Sequence, residues 1–111
     1  SWLERDYRID EAIDMLEIAY KAKSNDPYII DSLGWAYYLI NDYLEAEKLL
    51  KRAVELMPDD PIVNDHYGDI LWKLDRKIQA RYFWKSVLEM NDAEKDIIEK
   101  VKLKIIQGLN S

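Results

Sequence analysis

The feature that most constrains this 111-residue chain is an internal repeat with a period of 34 residues. The equivalent positions, 34 residues apart, are Asp26 and Asp60, Pro27 and Pro61, Asp31 and Asp65, Leu33 and Tyr67, Gly34 and Gly68, Ala46 and Ala80, Leu50 and Trp84, and Ala53 and Val87. One period earlier, Ala12, Leu16 and Ala19 match Ala46, Leu50 and Ala53, which indicates a truncated unit at the N-terminus. A fixed period of this size is typical of arrays of stacked supersecondary units.

Each unit is predicted to be a pair of helices, of which the first is called helix A and the second helix B. Asp26 and Asp60 can cap helix A, because a carboxylate accepts hydrogen bonds from the free N–H groups of a first turn, and proline fits the position that follows. Residues 27–40 then carry apolar side chains at three- and four-residue steps, namely Ile30, Leu33, Tyr37 and Ile40. This spacing predicts one apolar helix face.

Helix B of the central unit is predicted from about Leu44 to Met57, after a break at Asn41 and Asp42 and before the stop at Pro58. Its inward residues are predicted to be Ala46, Leu49, Leu50, Ala53 and Leu56. In the next unit the turn is predicted at Asp75, and helix B carries Ile78, Ala80, Phe83, Trp84, Val87 and Met90. The methionines, Met15 among them, are expected late in helix B or on its core face, because Met commonly fills gaps there.

Two glycines lie in the middle of the predicted A helices, at Gly34 and Gly68. A glycine inside a helix lowers the stability of the helix by about 1 kcal/mol relative to alanine. Its recurrence after 34 residues therefore indicates a role in packing. Together with the small Ala46 and Ala80, the glycines predict close approach of helices A and B.

The chain is therefore predicted to be an all-α superhelical solenoid of about 2.5 repeats plus a C-terminal helix. The boundaries are a truncated repeat at 1–24, repeats at 27–58 and 61–91, and a capping helix at 92–109, all in one domain that is expected to be a fragment of a longer chain. The tail carries Ile97, Ile98, Val101, Ile105 and Leu109 on one face, charged residues on the other, and Gly108 as its stop. It could instead be helix A of a further repeat.

Composition excludes several classes of function. With 16 basic and 22 acidic side chains the net charge is −6, and no run of Lys or Arg offers the cationic stripe that nucleic acid requires. The absence of Cys excludes disulfides and thiolate metal sites. No apolar stretch approaches the roughly 18 residues of a membrane span, and no signal peptide begins the chain.

At the repeat positions the chain resembles the tetratricopeptide repeat family, and bacterial members in particular. The positions that match the family signature in the central repeat are Leu33, Gly34, Tyr37, Ala46, Leu50, Ala53 and Pro58. The third repeat departs from it, since Leu71 replaces the usual Tyr, Val87 the usual Ala, and Asp92 stands where Pro58 would recur.

The resemblance implies that helix A lines a concave groove that binds a protein or peptide. The groove residues it implies are Tyr28, Asp31, Trp35, Tyr38, Asp65, Asp69, Trp72 and Lys73. Aromatic rings are frequent anchors in interfaces, and the aspartates favour a ligand that is basic or rich in backbone hydrogen-bond donors. A purely structural alternative stays open: Trp35, Tyr38 and Trp72 could pack against neighbouring helices, and Asp31 and Asp65 could bond adjacent A helices.

The family also contains clamps that grip the C-terminal carboxylate of chaperones with Lys, Asn and Arg. Asp31, Trp35 and Asp65 occupy groove positions where that clamp needs cations and amides. A chaperone clamp is therefore not expected here.

No pattern for catalysis, metal or cofactor is present in the sequence. The single His66 lies beside Asp65 and three residues before Asp69; on a helix these two aspartates share a face from which His66 points roughly 100° away, so it is expected to be a polar surface residue. The chain is thus predicted to be a non-enzymatic binding scaffold, without cofactor, in the cytoplasm or the envelope of a bacterium. The alternative is a structural stacking module, which could form a homo-oligomer through exposed solenoid ends such as Trp2 and Leu3.

Overall fold

The structure, a computed structural model, describes residues 2–109, with side chains from Tyr7 onward. Over this range the chain folds into six helices without a strand, which confirms the all-α prediction. The helices are α1 (Trp2–Ala22), α2 (Pro27–Leu39), α3 (Tyr43–Leu56), α4 (Pro61–Lys73), α5 (Lys77–Val87) and α6 (Lys95–Gln107). In the terms defined above, α2 and α4 are A helices, and α1, α3 and α5 are B helices.

The two A helices begin in the same way, as their sequences predict. The Asp26 carboxylate accepts hydrogen bonds from the N–H groups of Tyr28 and Ile29, at 2.9 and 3.4 Å. The Asp60 carboxylate accepts from those of Ile62 and Val63, at 2.8 and 3.3 Å. Each carboxylate satisfies N–H groups that have no partner within the helix.

The turns between paired helices also repeat. Asn41 and Asp75 lie 34 positions apart, and both adopt left-handed backbone angles, with φ of 67° and 63°. Asn and Asp tolerate this conformation better than other side-chain-bearing residues. Both turns can therefore reverse the chain without a glycine.

The core lies between successive helices, and the glycines allow its closest contacts. A Cβ atom on Gly34 would overlap the end of the Leu50 side chain, and one on Gly68 would overlap the indole of Trp84. Leu50 and Trp84 are fully buried, so both glycines are packing positions as predicted.

The helices stack in chain order, each packing against the next from α1 to α6. The A helices also contact one another across the stack, α2 with α4 and α4 with α6. The C-terminal helix α6 therefore stands where helix A of a further repeat would stand. Gly108 ends it with a φ of 69°, a left-handed conformation that suits glycine.

Some details of the predicted helix faces are wrong. Ile78 is 87% exposed, Met90 lies beyond the end of α5, and Met15 is 71% exposed instead of core-facing. The side chains of Trp2 and Leu3 lie outside the described part of the chain. The exposure of Met15 has a physical cause, because no A helix covers that side of α1 within residues 2–109.

Candidate peptide-binding groove

The surface formed by α2, α4 and α6 is called the A-helix groove here. On α2 its centre is an aromatic stack in which Trp35 lies between Tyr38 and His66. The ring centroids are 4.5 Å apart for Trp35 and Tyr38, and 4.0 Å apart for Trp35 and His66, with interplanar angles of 16° and 17°. Both faces of the indole are thus covered by rings of the same chain.

His66 connects the two A helices through a hydrogen bond. Its Nδ1 lies 2.8 Å from Oδ1 of Asp31, and both side chains are largely buried. Asp31 thus has the bond between adjacent A helices that the structural alternative describes. Sequence reasoning missed His66, although the repeat contained a signal: A helices one period apart lie side by side, so residues 35 positions apart, such as Asp31 and His66, can meet.

The acidic residues of α4 meet a lysine from α6. The Lys104 ammonium lies 2.8 Å from Oδ1 of Asp65 and 3.0 Å from Oδ1 of Asp69. The indole N–H of Trp84 donates to the same Asp69 oxygen at 3.1 Å. Asp65 and Asp69 are therefore buried and share one cation from within the chain, of the class that the sequence suggested for a ligand.

Burial and charge shift the proton affinities of this cluster in physically clear directions. Burial raises the pKa of Asp69 to about 6, the nearby Asp65 carboxylate adds to the rise, and Lys104 and Trp84 partly offset it. Burial opposes the charge of Lys104, but the Asp69 and Asp65 carboxylates outweigh it and raise the pKa of the ammonium.

The remaining predicted residues lie in different surroundings. The Trp72 ring has the cations of Lys77 and Arg81 each 5.0 Å from its centroid, and a Cβ on Gly108 would overlap it. Trp72 therefore packs against Gly108 at the end of α6. Lys73 is half-buried at the end of α4, and Tyr28 is exposed at the start of α2.

A cleft of about 440 Å³ opens between the N-terminal halves of α4 and α6. Its apolar side chains include Ile62 and Ile97, and Ile62 is largely exposed. Carboxylates and two basic groups complete the lining, namely Asp60, Asp65, Asp92, Glu94, Asp96, His66 and Lys100. An acidic cleft with an apolar wall can receive a segment that carries both basic and apolar side chains.

Across residues 2–109 no group of three His, Cys, Asp or Glu side chains is arranged to hold a metal ion. The same range contains no helix with the length and apolarity needed to cross a membrane.

The chain is similar to known proteins of one class. The family profile described as Tetratricopeptide repeat matches residues 27–60. The anaphase-promoting complex subunit CDC16 of Saccharomyces cerevisiae is 31% identical over 87 residues, which is 72% of this chain and 10% of that protein. The TPR repeat-containing protein PA4667 of Pseudomonas aeruginosa is 33% identical over 66 residues, which is 60% of this chain and 11% of that protein.

A solved structure shows the same fold. The first TPR of Spaghetti (RPAP3), bound to the HSP90 peptide SRMEEVD, superposes with a TM-score of 0.78 at 23% identity, covering 96% of this chain and 84% of that one. Helix pairs at a 34-residue period, glycine crossings and these similarities define an α-helical repeat scaffold. The chain belongs to the tetratricopeptide repeat family, and it spans about a tenth of the length of the curated relatives named above.

Proposed function

We propose that this chain binds a segment of another protein in the A-helix groove and performs no catalysis. The observation that carries the proposal is the cleft between α4 and α6, which combines the apolar Ile62 and Ile97 with a carboxylate rim. The tetratricopeptide fold is a protein interaction module, so a groove of this kind is its natural binding surface.

The charges in the cleft favour a segment with both basic and apolar side chains. Asp65 is paired with Lys104, and the Asp60 carboxylate caps α4. The exposed Asp92, Glu94 and Asp96 remain on the rim, where they would attract cationic side chains and set the register of the ligand. The peptide bound by the structural neighbour carries three acidic residues in SRMEEVD, so a different ligand is proposed here.

The predicted groove residues take different parts in this proposal. Tyr28 is exposed and offers a contact surface at the α2 end of the groove. Trp35 and Tyr38 would present ring edges, while Asp31, Asp65 and Asp69 would hold the groove in shape through His66 and Lys104. Trp72 and Lys73 lie at the far end of α4, beyond the residues that line the cleft.

The test uses peptides selected from a phage-displayed random library against the immobilised chain. We expect the selected peptides to combine basic and apolar residues, and Ile62→Lys to weaken their binding at least about tenfold by calorimetry. The matched control is Ile78→Lys, which changes an exposed isoleucine on α5 outside the groove. Equal affinities for the two variants would refute the proposal.

A second candidate function is a stacking module within a longer, bacterial protein. Exposed apolar side chains at both ends of the helix stack favour it, with Met15 on α1 and Leu103 and Ile106 on α6. Sedimentation velocity tests it, because an open stack end should cause association that depends on concentration. A monomer at all concentrations would count against a homo-oligomer.

A further inference from the structure

The helix α5 is basic, in a chain whose charge is otherwise strongly negative. The segment from its N-cap Arg76 to its last residue Val87 contains no carboxylate and four basic side chains, namely Arg76, Lys77, Arg81 and Lys85. The other 99 residues carry the remaining 12 basic and all 22 acidic side chains, a net charge of −10. The positive charge of α5 is therefore a local feature that the overall composition hides.

The side chains on the outer side of α5 form two rows along the helix. Lys77, Arg81 and Lys85 follow one another at four-residue steps, and Ile78 and Tyr82 do the same one position later. Residues at this spacing lie on one helix face. Ile78 is 87% exposed and Tyr82 is 66% exposed, whereas the opposite face of the helix is buried in the core. These five residues are called the α5 ridge.

The α5 ridge occupies positions that stay exposed inside the helix stack. On α3, one period earlier, Leu44 is the counterpart of Ile78 and Lys51 is the counterpart of Lys85. Leu44 is 70% exposed and Lys51 is also exposed, although α3 packs against both α2 and α4. Neighbouring helices thus leave these positions open, so the ridge is available to a partner from outside the stack.

The helices α3 and α5 differ in the arrangement of their charges at these positions. On α3, Glu47 lies four residues before Lys51, and opposite charges in this order stabilise a helix. On α5, Arg81 takes the position of Glu47 and lies four residues before Lys85. Like charges at this spacing destabilise a helix, so the ridge carries a repulsion that α3 avoids.

Contacts within the chain hold the cations of the ridge in place but leave their charge. Lys77 and Arg81 each lie 5.0 Å from the ring centroid of Trp72, and Nε of Arg81 donates to the carbonyl oxygen of Ile105 at 3.0 Å. In the part of the chain whose side chains the structure describes, only Lys77 of the three ridge cations pairs with a carboxylate, that of Asp75 at 3.8 Å. This pair is exposed, and exposed pairs contribute little.

We propose that the α5 ridge is a second binding surface, which binds an extended acidic segment of another protein. An extended segment places every second side chain on one face, about 6.6 Å apart. The three cations of the ridge are separated by about 6 Å along the helix axis. Carboxylates at alternate positions can therefore meet the cations in turn, while an apolar side chain of the segment contacts Ile78 and Tyr82. The site is separate from the A-helix groove, whose proposed ligand is basic.

The charge of the rest of the chain favours a short ligand. The 11 residues of α5 span about 16 Å, the length of about five extended residues. A membrane surface or a nucleic acid duplex would extend beyond the ridge and meet the side chains whose net charge is −10. A short acidic segment meets the ridge alone. The observations therefore favour a protein segment over anionic lipid or nucleic acid.

The first test measures the binding of a labelled peptide by fluorescence anisotropy. In this peptide Glu alternates with Ser, and two Leu residues stand at one end. We expect the 111-residue chain to bind it, with an affinity that falls as salt is added. A peptide with Gln in place of Glu should bind at least about tenfold more weakly. Equal binding of the two peptides, or no binding of the Glu peptide, would overturn the proposal.

Two double variants, one repeat apart, separate the ridge from the general charge of the chain. Ile78→Ser/Lys85→Glu should weaken binding of the Glu peptide at least about tenfold. Leu44→Ser/Lys51→Glu makes the same change of charge at the counterpart positions of α3, and should weaken binding by less than about twofold. All four side chains are exposed, so both variants should remain folded. Equal losses of affinity would contradict the proposal.

A single variant, Lys85→Gln, separates a role in binding from a role in the fold. It removes the like-charge spacing to Arg81, so it should not lower the Tm. It should weaken binding of the Glu peptide at least about threefold. A lower Tm with an unchanged peptide affinity would show that Lys85 serves the fold, and would overturn its assignment to the site.

The other occupants are tested with the same variants. Vesicles of phosphatidylcholine and phosphatidylserine, or an oligothymidylate, would overturn the assignment to a protein segment if they bound more tightly than the Glu peptide and Ile78→Ser/Lys85→Glu abolished that binding. A dimer in sedimentation velocity that the same variant abolishes would assign the ridge to a second copy instead. Ile62→Lys, which tests the groove, should not weaken binding of the Glu peptide, so failure of one proposal does not imply failure of the other.

Discussion

The two complete helix pairs of this chain share a backbone plan and differ in the chemistry of their A helices. Both begin with an Asp cap and a proline, both turn through a left-handed Asn or Asp, and both cross at a glycine. The groove side of α2 carries the aromatic stack around Trp35, whereas that of α4 carries Asp65 and Asp69. Identical architecture thus supports an aromatic surface on one helix and a buried ion cluster on the next.

This difference shows which positions of the repeat are free to vary. The glycines and caps are fixed by backbone geometry, which is the same in both pairs. The residue types at the groove positions depend on the side chains of the neighbouring A helix. Those of α2 face His66 of α4, and those of α4 face Lys104 of α6. The four predictions below test how much stability each arrangement contributes.

The largest effect is expected for Lys104→Met. This change leaves Asp65 and Asp69 buried without their cation, and breaking a buried pair in this way costs about 3 to 5 kcal/mol. Urea unfolding at pH 7 measures the loss. Lys102→Met on the same helix is the matched control, because Lys102 is exposed, and a similar loss in that variant would rule out the ion cluster as the cause.

The second largest effect is expected at the two glycines where paired helices cross, and it should differ between them. Gly68→Ala should destabilise by about 1 to 3 kcal/mol, because its Cβ meets a rigid indole that is also hydrogen-bonded to Asp69. Gly34→Ala should cost less, since its Cβ meets the flexible end of Leu50 and alanine favours the helix by about 1 kcal/mol. Thermal unfolding of the two variants gives the order, and the reverse order would contradict the packing argument.

A smaller effect is expected from pH, through Asp69. Its folded pKa of about 6 lies above the ordinary 3.8, so the folded chain holds the proton more tightly than the unfolded chain. The resulting stabilisation is present below about pH 4 and lost as pH rises through 6, with about 1 kcal/mol lost between pH 5 and 7. Asp69→Asn should flatten this part of the Tm profile, and an unchanged slope in that variant would refute the assignment.

The smallest effect is expected on the aromatic side, for Asp31→Asn. It weakens the hydrogen bond to His66, which contributes about 0.5 to 1.5 kcal/mol in a partly buried position. The effect should show in urea unfolding and should be absent in Asp10→Asn, an exposed carboxylate on α1. A loss as large as that of Lys104→Met would mean that the two A helices do not differ as described.

Much of the fold could be predicted because it depends on local rules. Asp26 and Asp60 cap their helices, the turns fall at Asn41 and Asp75, and Gly34 and Gly68 are crossing points. The groove was less accessible to sequence reasoning. Lys104 is 35 positions from Asp69, on a helix whose register was open, and His66 was expected on the surface.

The sequence by itself therefore determined the helices, their period and their crossings, because caps, turns and glycines act on the backbone within a few residues. Only the tertiary structure decided that Lys104 pairs with both Asp65 and Asp69, that His66 covers one face of Trp35, and that Met15 is exposed. Those outcomes depend on which side chains of different helices meet. A period in the sequence gives the order of the helices, but only their packing determines the distances between side chains.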